Sequence, residues 1–275
     1  MIALALSAAL LAATPPPTIP AAPPRDLVPF ADVEPAGPDG DSVYRIGRAD
    51  YALTGLAIAG SILPHQWTRQ LIRRTCPCEP EEVNAFDRAA VDMNDKMAGA
   101  ASDVTVALAL TLPVVADVVN LGFGQAFKED LVVYVETLAL NGAIVTGVKY
   151  LVQRPLPATV AGREGLEAQA QGYRSFYSGH TSTAVAALTA AAWTHHLRHG
   201  PSAWPWIVTG VVGTSVAVER VLAGRHWPTD VLVGAAAGFG IGTLVPLLHA
   251  RKPPWKRGTV SVVPQGRGLA VVGKF

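Results

Sequence analysis

The residues best suited to catalysis form a cluster in the last third of the chain: Arg220, His226 and Asp230. Asp230 stands four residues after His226, and Pro228 fits the first turn of a helix that begins between them. This separation lets a carboxylate hold one imidazole nitrogen and direct the other outward. A neutral imidazole oriented in this way is a competent nucleophile toward phosphorus. Taken alone, the cluster also fits a helix start with a capping aspartate and an interfacial histidine.

Two further clusters carry polar groups at the ends of apolar segments. Ser178, Gly179 and His180 immediately precede an apolar stretch, and the start of a helix is a natural place to bind phosphate, although serine capping explains the same residues. Lys149 closes another apolar stretch, where the alternative is a lysine that reaches toward the membrane interface. Arg220 also ends an apolar segment, and a charge there must pair or line a polar cavity.

The remaining histidines have simpler interpretations. His195 and His199 form an i, i+4 pair that could hold a metal, but no acidic or thiol partner lies nearby in the sequence. We interpret them as a polar cap at a helix end. His65 and His249 also lie at the ends of predicted helices.

The elements that must position these clusters are six apolar stretches rich in Ala, Leu and Val, which favour helices over strands. They cover residues 50–64, 99–119, 130–148, 181–194, 203–218 and 231–248. The sequence therefore predicts an all-α bundle of about six apolar helices, transmembrane as the first choice and soluble as the second. If the helices alternate up and down, the three clusters share one end of the bundle.

The composition agrees with a membrane setting. Charged residues make up 16% of the chain, against roughly 25% in ordinary soluble domains, and mean hydropathy is +0.30. The 26 glycines suit close approach of helices in lipid. A net charge of +1 gives no electrostatic reason to expect a nucleic-acid partner.

The ends of the chain differ from the helical domain, which we predict at 49–252. Residues 1–24 resemble a signal peptide or apolar leader with a Pro-rich end, and 25–48 form an irregular lead-in. Residues 253–275 form a tail that contains two β-prone runs around a glycine-containing turn, which predict a small hairpin. Cys76 and Cys78 flank one proline, so we expect two thiols or an intermolecular bridge rather than a disulfide between them.

In order and spacing, the three clusters resemble the signature of the phosphatidic acid phosphatase type 2 and vanadium haloperoxidase superfamily. That signature reads Lys-x6-Arg-Pro, then Pro-Ser-Gly-His, then Ser-Arg-x5-His-x3-Asp. The third block matches from Arg220 through His226 to Asp230, and the second matches as Ser178-Gly179-His180. The resemblance covers residues 130–245.

The resemblance implies a role for each matched residue. His226 would attack phosphorus, Asp230 would orient it, and His180 would protonate the leaving alcohol and then activate water. The phosphate oxygens would be held by cations and by backbone amides of the second block, namely Lys149, Arg220, Arg154, Ser178 and Gly179. No metal or cofactor is implied.

Three positions depart from the signature. Leu156 occupies the arginine position of the first block, and Arg154, two residues earlier, is placed to reach the same phosphate because a chain broken by Pro155 need not stay helical. Tyr177 replaces a proline, which changes turn rigidity. Glu219 replaces a serine, where it could pair with a neighbouring arginine or repel the substrate. We still expect an active enzyme because both histidines and the aspartate are present.

The expected activity is hydrolysis of a phosphomonoester or diphosphate on a lipid, such as phosphatidate, phosphatidylglycerophosphate, a polyprenyl diphosphate or a lipid A phosphate. The alternatives are a soluble periplasmic acid phosphatase and a weakened or inactive phospholipid-binding relative. The modest length and apolar composition disfavour a vanadate-dependent haloperoxidase. The pattern does not predict the oligomeric state.

The distribution of positive charge along the chain predicts that the active end of the bundle lies outside the cytoplasm. The cations that follow the last apolar stretch, Arg251, Lys252, Lys256 and Arg257, favour a cytoplasmic C-terminus. Up-and-down alternation then puts the active end outside, but it also puts the start of the first helix inside, which conflicts with a cleaved leader. Either the leader is retained, one stretch does not span, or the bundle is not transmembrane.

Overall fold

The computed structural model describes residues 42–74, 76, 78–252, 259–265 and 268–274, with side chains up to residue 252. The predicted leader at 1–24 and most of the lead-in lie outside the described residues. Two β-strands, β1 (Thr259–Gln265) and β2 (Gly268–Lys274), pair in an antiparallel arrangement. Thr259 lies opposite Lys274, and Gln265 lies opposite Gly268.

Nine α-helices occur within the described ranges. The six longest are α1 (Arg48–Ile62), α4 (Lys96–Leu121), α5 (Gln125–Val152), α7 (Gly179–His199), α8 (Trp204–Leu222) and α9 (Pro228–His249). Each contains most of one predicted apolar stretch, so the all-α prediction is confirmed. The short helices are α2 (Thr68–Leu71), α3 (Ala85–Arg88) and α6 (Pro157–Val160), and 3-10 turns cover Leu63–Trp67, Pro80–Glu82, Ala89–Asp92, Leu166–Ala168 and Ala170–Tyr173.

Helix α7 lies at the centre of the bundle and packs against α4, α5, α8 and α9. Its closest neighbour is α9, because Gly234, Gly238 and Gly242 recur every four residues on the contact face. A Cβ atom at any of these three glycines would come within 2.7 Å of a backbone carbonyl oxygen of Ser178, Ser182 or Ala186. Small residues let two helix backbones approach closely. The contact fixes the start of α7 against the start of α9.

Four segments are long and apolar enough to cross a membrane, judged by length and composition alone. They are helix α4, the segment Gln125–Val160 (which includes α5), helix α8 and helix α9. Large apolar side chains are exposed along them, including Val119 of α4 at 78% and Leu232 of α9 at 59%. Contiguous exposed apolar surface of this kind marks a protein or membrane contact.

The segments around α2, α3 and α6 cover the end of the bundle where α7 and α9 begin. One feature there corrects the sequence interpretation, because Cys76 and Cys78 form a disulfide with each other. Their Cα atoms lie 4.7 Å apart, inside the normal range for a disulfide. The backbone amide of Cys76 donates to the hydroxyl of Tyr173 (2.7 Å), which ties this loop to the turn before α7.

Candidate active site

The turn between α8 and α9 carries His226. Gly224 bends the chain there with a positive φ of +64°, where a Cβ atom would collide with the carbonyl oxygen of Met93. Pro228 then starts α9. His226 is only 4% exposed, and its ring lines a cavity of about 680 Å³. The local sequence therefore places one imidazole at the wall of a cavity and leaves it little freedom.

Asp230 lies in the first turn of α9 and faces the same imidazole. Its Oδ2 atom is 3.5 Å from Nδ1 of His226, which is longer than a hydrogen bond but close enough for strong electrostatic attraction. The carboxylate is fully buried and also accepts from the backbone amide of Trp227 (3.1 Å) and the hydroxyl of Ser175. Because Nδ1 faces Asp230, Nε2 is the nitrogen left for a substrate.

The protonation of His226 suits a nucleophile. Burial lowers its pKa to about 3, and the positive charges of Lys149 and Arg220 act in the same direction, whereas Asp230 opposes them. The imidazole is therefore neutral around pH 7 and keeps a lone pair for attack.

Arg154 forms an ion pair with Asp230, as part of a network of buried carboxylates that the sequence did not predict. Its guanidinium donates to Oδ1 of Asp230 (2.6 Å) and to Oδ2 of Asp87 (2.7 Å). Asp87 also accepts from the amide (2.9 Å) and hydroxyl (2.7 Å) of Thr229. Burial favours the neutral acid, but the bonds from Arg154 and Thr229 outweigh it and keep the pKa of Asp87 below its ordinary value. The structure thus gives Arg154 two carboxylate partners instead of the predicted phosphate.

His180 occupies the first turn of α7 and has its own carboxylate. Ser178 caps this helix by accepting from the amide of Thr181, and Nε2 of His180 lies 2.8 Å from Oδ1 of Asp103 on α4. Burial lowers the pKa of His180, Arg220 acts in the same direction, and Asp103 opposes both. Asp103 was not predicted as a site residue from the sequence, although an acid inside an apolar helix is itself a signal of function.

Replacing Asp103 by asparagine tests this orienting contact. We expect kcat for a phosphate ester to fall about 10-fold, because an outer partner that fixes a histidine ring is typically worth 10- to 100-fold. KM should change little, since the cations of the cavity remain. Steady-state kinetics on Asp103→Asn measures both constants, with Asp92→Asn in a nearby exposed turn as the matched control. An unchanged kcat would show that His180 needs no carboxylate.

The cavity gathers positive charge around the two histidines. Its cationic lining residues are Lys96, Lys149, Arg174, Arg220 and Arg225. Lys149 is 8% exposed, and its Nζ donates to the carbonyl oxygens of Arg174 (2.5 Å) and Ser175 (3.3 Å). Arg220 donates to the hydroxyl of Ser102 (3.1 Å). Arg174 had no signal in the sequence, because only the turn before α7 brings it to the site.

Two of the three positions that depart from the signature, Glu219 and Leu156, find simple explanations. The Glu219 side chain contacts the hydroxyls of Ser215 (3.0 Å) and Thr105 (3.4 Å), and it is not among the residues that line the cavity. Leu156 lines the cavity wall as an apolar residue. The backbone amide of Ser178, a predicted phosphate donor, instead donates to the carbonyl oxygen of Asp230 (3.0 Å). Gly179 remains at the cavity wall, in the helix turn whose amides lack intrahelical partners.

Fold and site together define a helical bundle with two histidine–carboxylate pairs at one cationic cavity. Comparison with known protein families agrees with the resemblance seen in the sequence: residues 130–254 match the model of the PAP2 superfamily. The matched region contains Lys149, His180, His226 and Asp230, whereas Asp87 and Asp103 precede it.

One curated protein and one solved structure are similar to parts of this chain. A lipid A 1-phosphatase of Porphyromonas gingivalis is 32% identical over 139 residues, which are 48% of this chain and 28% of that protein. The chain therefore aligns with little more than a quarter of that relative's length. The crystal structure of Aquifex aeolicus LpxE superposes with a TM-score of 0.44 and 21% identity, over 61% of this chain and 98% of that one.

Proposed function

We propose that this protein hydrolyses a phosphomonoester or diphosphate on a lipid through a phosphohistidine intermediate on His226. The observation that carries this proposal is the pairing of two histidines with two separate carboxylates, His226 with Asp230 and His180 with Asp103, at one cationic cavity. One pair supplies a neutral nucleophile, and the other supplies a proton carrier.

In the first step, Nε2 of His226 attacks phosphorus while the bond from phosphorus to the lipid oxygen breaks. His180 donates its proton to that oxygen, and the lipid alcohol leaves, or the lipid monophosphate when the substrate is a diphosphate. In the second step, His180 takes a proton from water, the hydroxide attacks phosphorus, and the N–P bond breaks to release phosphate and neutral His226. Lys149, Arg174 and Arg220 neutralise the phosphoryl oxygens throughout, so the proposed scheme assigns no metal to catalysis.

Protonation of His180 depends on the substrate. Without phosphate, burial and Arg220 favour the neutral ring. An arriving phosphate dianion brings negative charge to the cavity and favours the protonated form. His180 therefore acquires its proton when a substrate that needs it is bound.

Two observations support a lipid substrate over a soluble one. The cavity is lined in part by α4, which exposes apolar side chains such as Leu108 and Leu112 to its surroundings, so an acyl or prenyl chain has a surface to lie on. The P. gingivalis relative is named as a lipid A 1-phosphatase, which favours a lipid phosphate here.

The Cys76–Cys78 disulfide supports an extracytoplasmic active site in the cell envelope. The loop that carries it contacts Tyr173, next to Arg174 of the cavity. Disulfides form and persist in oxidising compartments and are rare in the cytosol. The proposed arrangement is a multi-pass membrane protein whose catalytic end faces outward.

The experiment that tests the function is phosphate release by purified protein in the presence of a chelator. The panel contains phosphatidate, phosphatidylglycerophosphate, a polyprenyl diphosphate, a lipid A phosphate and a water-soluble aryl phosphate. We expect turnover of at least one lipid and inhibition by vanadate, which mimics the transferred phosphoryl group. Turnover of the soluble ester alone would indicate an acid phosphatase, and no turnover of any substrate would indicate a binding protein.

A further inference from the structure

A second cluster of ionisable residues lies at the opposite end of the bundle. It consists of Asp50 in the first turn of α1, Glu136 in α5 and His249 at the end of α9, with three ligand atoms that lie within 4.8 Å of one another. His249 follows Asp230 by 19 residues along α9, so a rise of 1.5 Å per residue puts the two about 28 Å apart. The cluster is therefore separate from the catalytic cavity.

The distances in this cluster do not fit hydrogen bonds. Nε2 of His249 lies 3.5 Å from Oδ1 of Asp50 and 3.5 Å from Oε2 of Glu136. A nitrogen–oxygen hydrogen bond is about 2.7–3.2 Å long. Two ligands of a tetrahedral ion, each bound at about 2.0–2.2 Å, are separated by roughly 3.3–3.6 Å. The two measured separations, from Nε2 of His249 to each carboxylate, fall in the range expected for the edges of a tetrahedral coordination shell.

Other contacts occupy the remaining polar atoms of His249 and Asp50. Nδ1 of His249 lies 2.8 Å from the carbonyl oxygen of Val245, so Nε2 is the ring nitrogen that faces the two carboxylates. This contact is also the usual support of a metal-bound histidine. Oδ2 of Asp50 accepts from the amide of Gly47 (2.6 Å), which leaves Oδ1 for the cluster.

Glu136 supplies the independent observation that a ligand is required. Its side chain is only 2% exposed, and within the part of the chain that the structure describes its Oε2 atom has no hydrogen-bond partner. A buried carboxylate oxygen without a partner is costly, since nothing replaces its lost hydration. That oxygen faces Nε2 of His249 at 3.5 Å, so a positive ion bound between them would satisfy both atoms.

We propose that Asp50, Glu136 and His249 bind a divalent transition-metal ion of the zinc type, with water as the fourth ligand. One imidazole and two carboxylates suit such an ion, and the bound ion neutralises the two carboxylates. The ion joins α1, α5 and α9 at the end of the bundle away from the catalytic cavity. Its role is structural, and the proposal does not depend on the proposed phosphatase activity.

Zinc content and thermal unfolding of the full chain in detergent test the site. After exposure to Zn²⁺ and removal of free ion, we expect one tightly held zinc per chain and a Tm about 5–10 °C above that of chelator-treated protein. The near-isosteric Glu136→Gln and the variant His249→Gln should each lose both effects. Phosphate release by the chelated wild type should persist at low temperature.

His199→Ala is the matched control, because the exposed His199 and the half-buried His195 lie side by side and could bind zinc weakly. This variant should keep the tightly held zinc. Loss of zinc in His199→Ala but not in Glu136→Gln would overturn the proposal. A wild type that holds no zinc and melts at the same temperature with and without it would also overturn it, and would indicate a protonated His249 between the two carboxylates.

Discussion

Replacing His226 by alanine should abolish turnover, with a loss of about 10⁴-fold or more in kcat, as expected when a covalent nucleophile is removed. In the structure, Nδ1 of His226 faces Asp230, and burial holds the ring neutral. In the proposed mechanism water cannot replace the imidazole as the first nucleophile, because the second step is hydrolysis of a phosphoryl group bound to nitrogen. The measurement is phosphate release from the best substrate of the panel.

A trapping experiment distinguishes loss of the nucleophile from damage to the fold. Wild-type protein mixed with substrate labelled in the phosphoryl group and quenched in alkali should carry covalent label, and His226→Ala should carry none. His199→Ala, a substitution of an exposed histidine at the other end of α7, should label and turn over like the wild type. Label that persists in His226→Ala would assign the nucleophile to another residue.

Replacing His180 by alanine should lower kcat for a lipid phosphate by about 10²–10⁴-fold, the usual range for a general acid–base group. The loss should depend on the leaving group. The aryl oxide of an aryl phosphate can leave without receiving a proton, so formation of the phosphohistidine should be nearly normal with that substrate. Hydrolysis of the intermediate still needs His180 as a base, and phosphoenzyme should therefore accumulate.

Rapid-quench kinetics with the aryl substrate checks this prediction. His180→Ala should show a burst of aryl alcohol close to one equivalent, followed by slow turnover, and the burst should be larger than in the wild type. His65→Ala is a useful companion because Nε2 of His65 lies 2.9 Å from Arg174 but the ring does not line the cavity. Equal losses on lipid and aryl substrates without a burst would rule out the proton-transfer role.

The sequence predicted the helices and the chemistry that is local to their ends. Asp230 follows His226 by one helical turn, so a spacing rule was enough to pair them, and apolar stretches of helical length located the elements. The clusters at the ends of α5, α7, α8 and α9 do share one cavity, as simple alternation implied.

Contacts between distant segments could not be predicted. Asp103 meets His180 across 77 residues, and Asp87 meets Arg154 across 67. Neither pair follows a periodicity that a single sequence displays. Arg154 was assigned to the phosphate because its direction after α5 was unknown. In the structure Gln153 ends that helix in the left-handed conformation, and the chain turns Arg154 toward Asp230.

Helix α4 gives the proposed membrane setting a direct part in catalysis. Of its 26 residues, Ala98, Ser102 and Ala109 are buried, yet α4 carries the aspartate that orients His180. Although α4 packs against α7 and α8, most of its residues are not buried, so its outer face is open to the surroundings of the bundle. In the proposed membrane setting, acyl chains would cover this face of α4 and form an outer wall of the active site. Bilayer thickness and fluidity would tune the rate, and extraction into detergent would slow the enzyme without altering any residue.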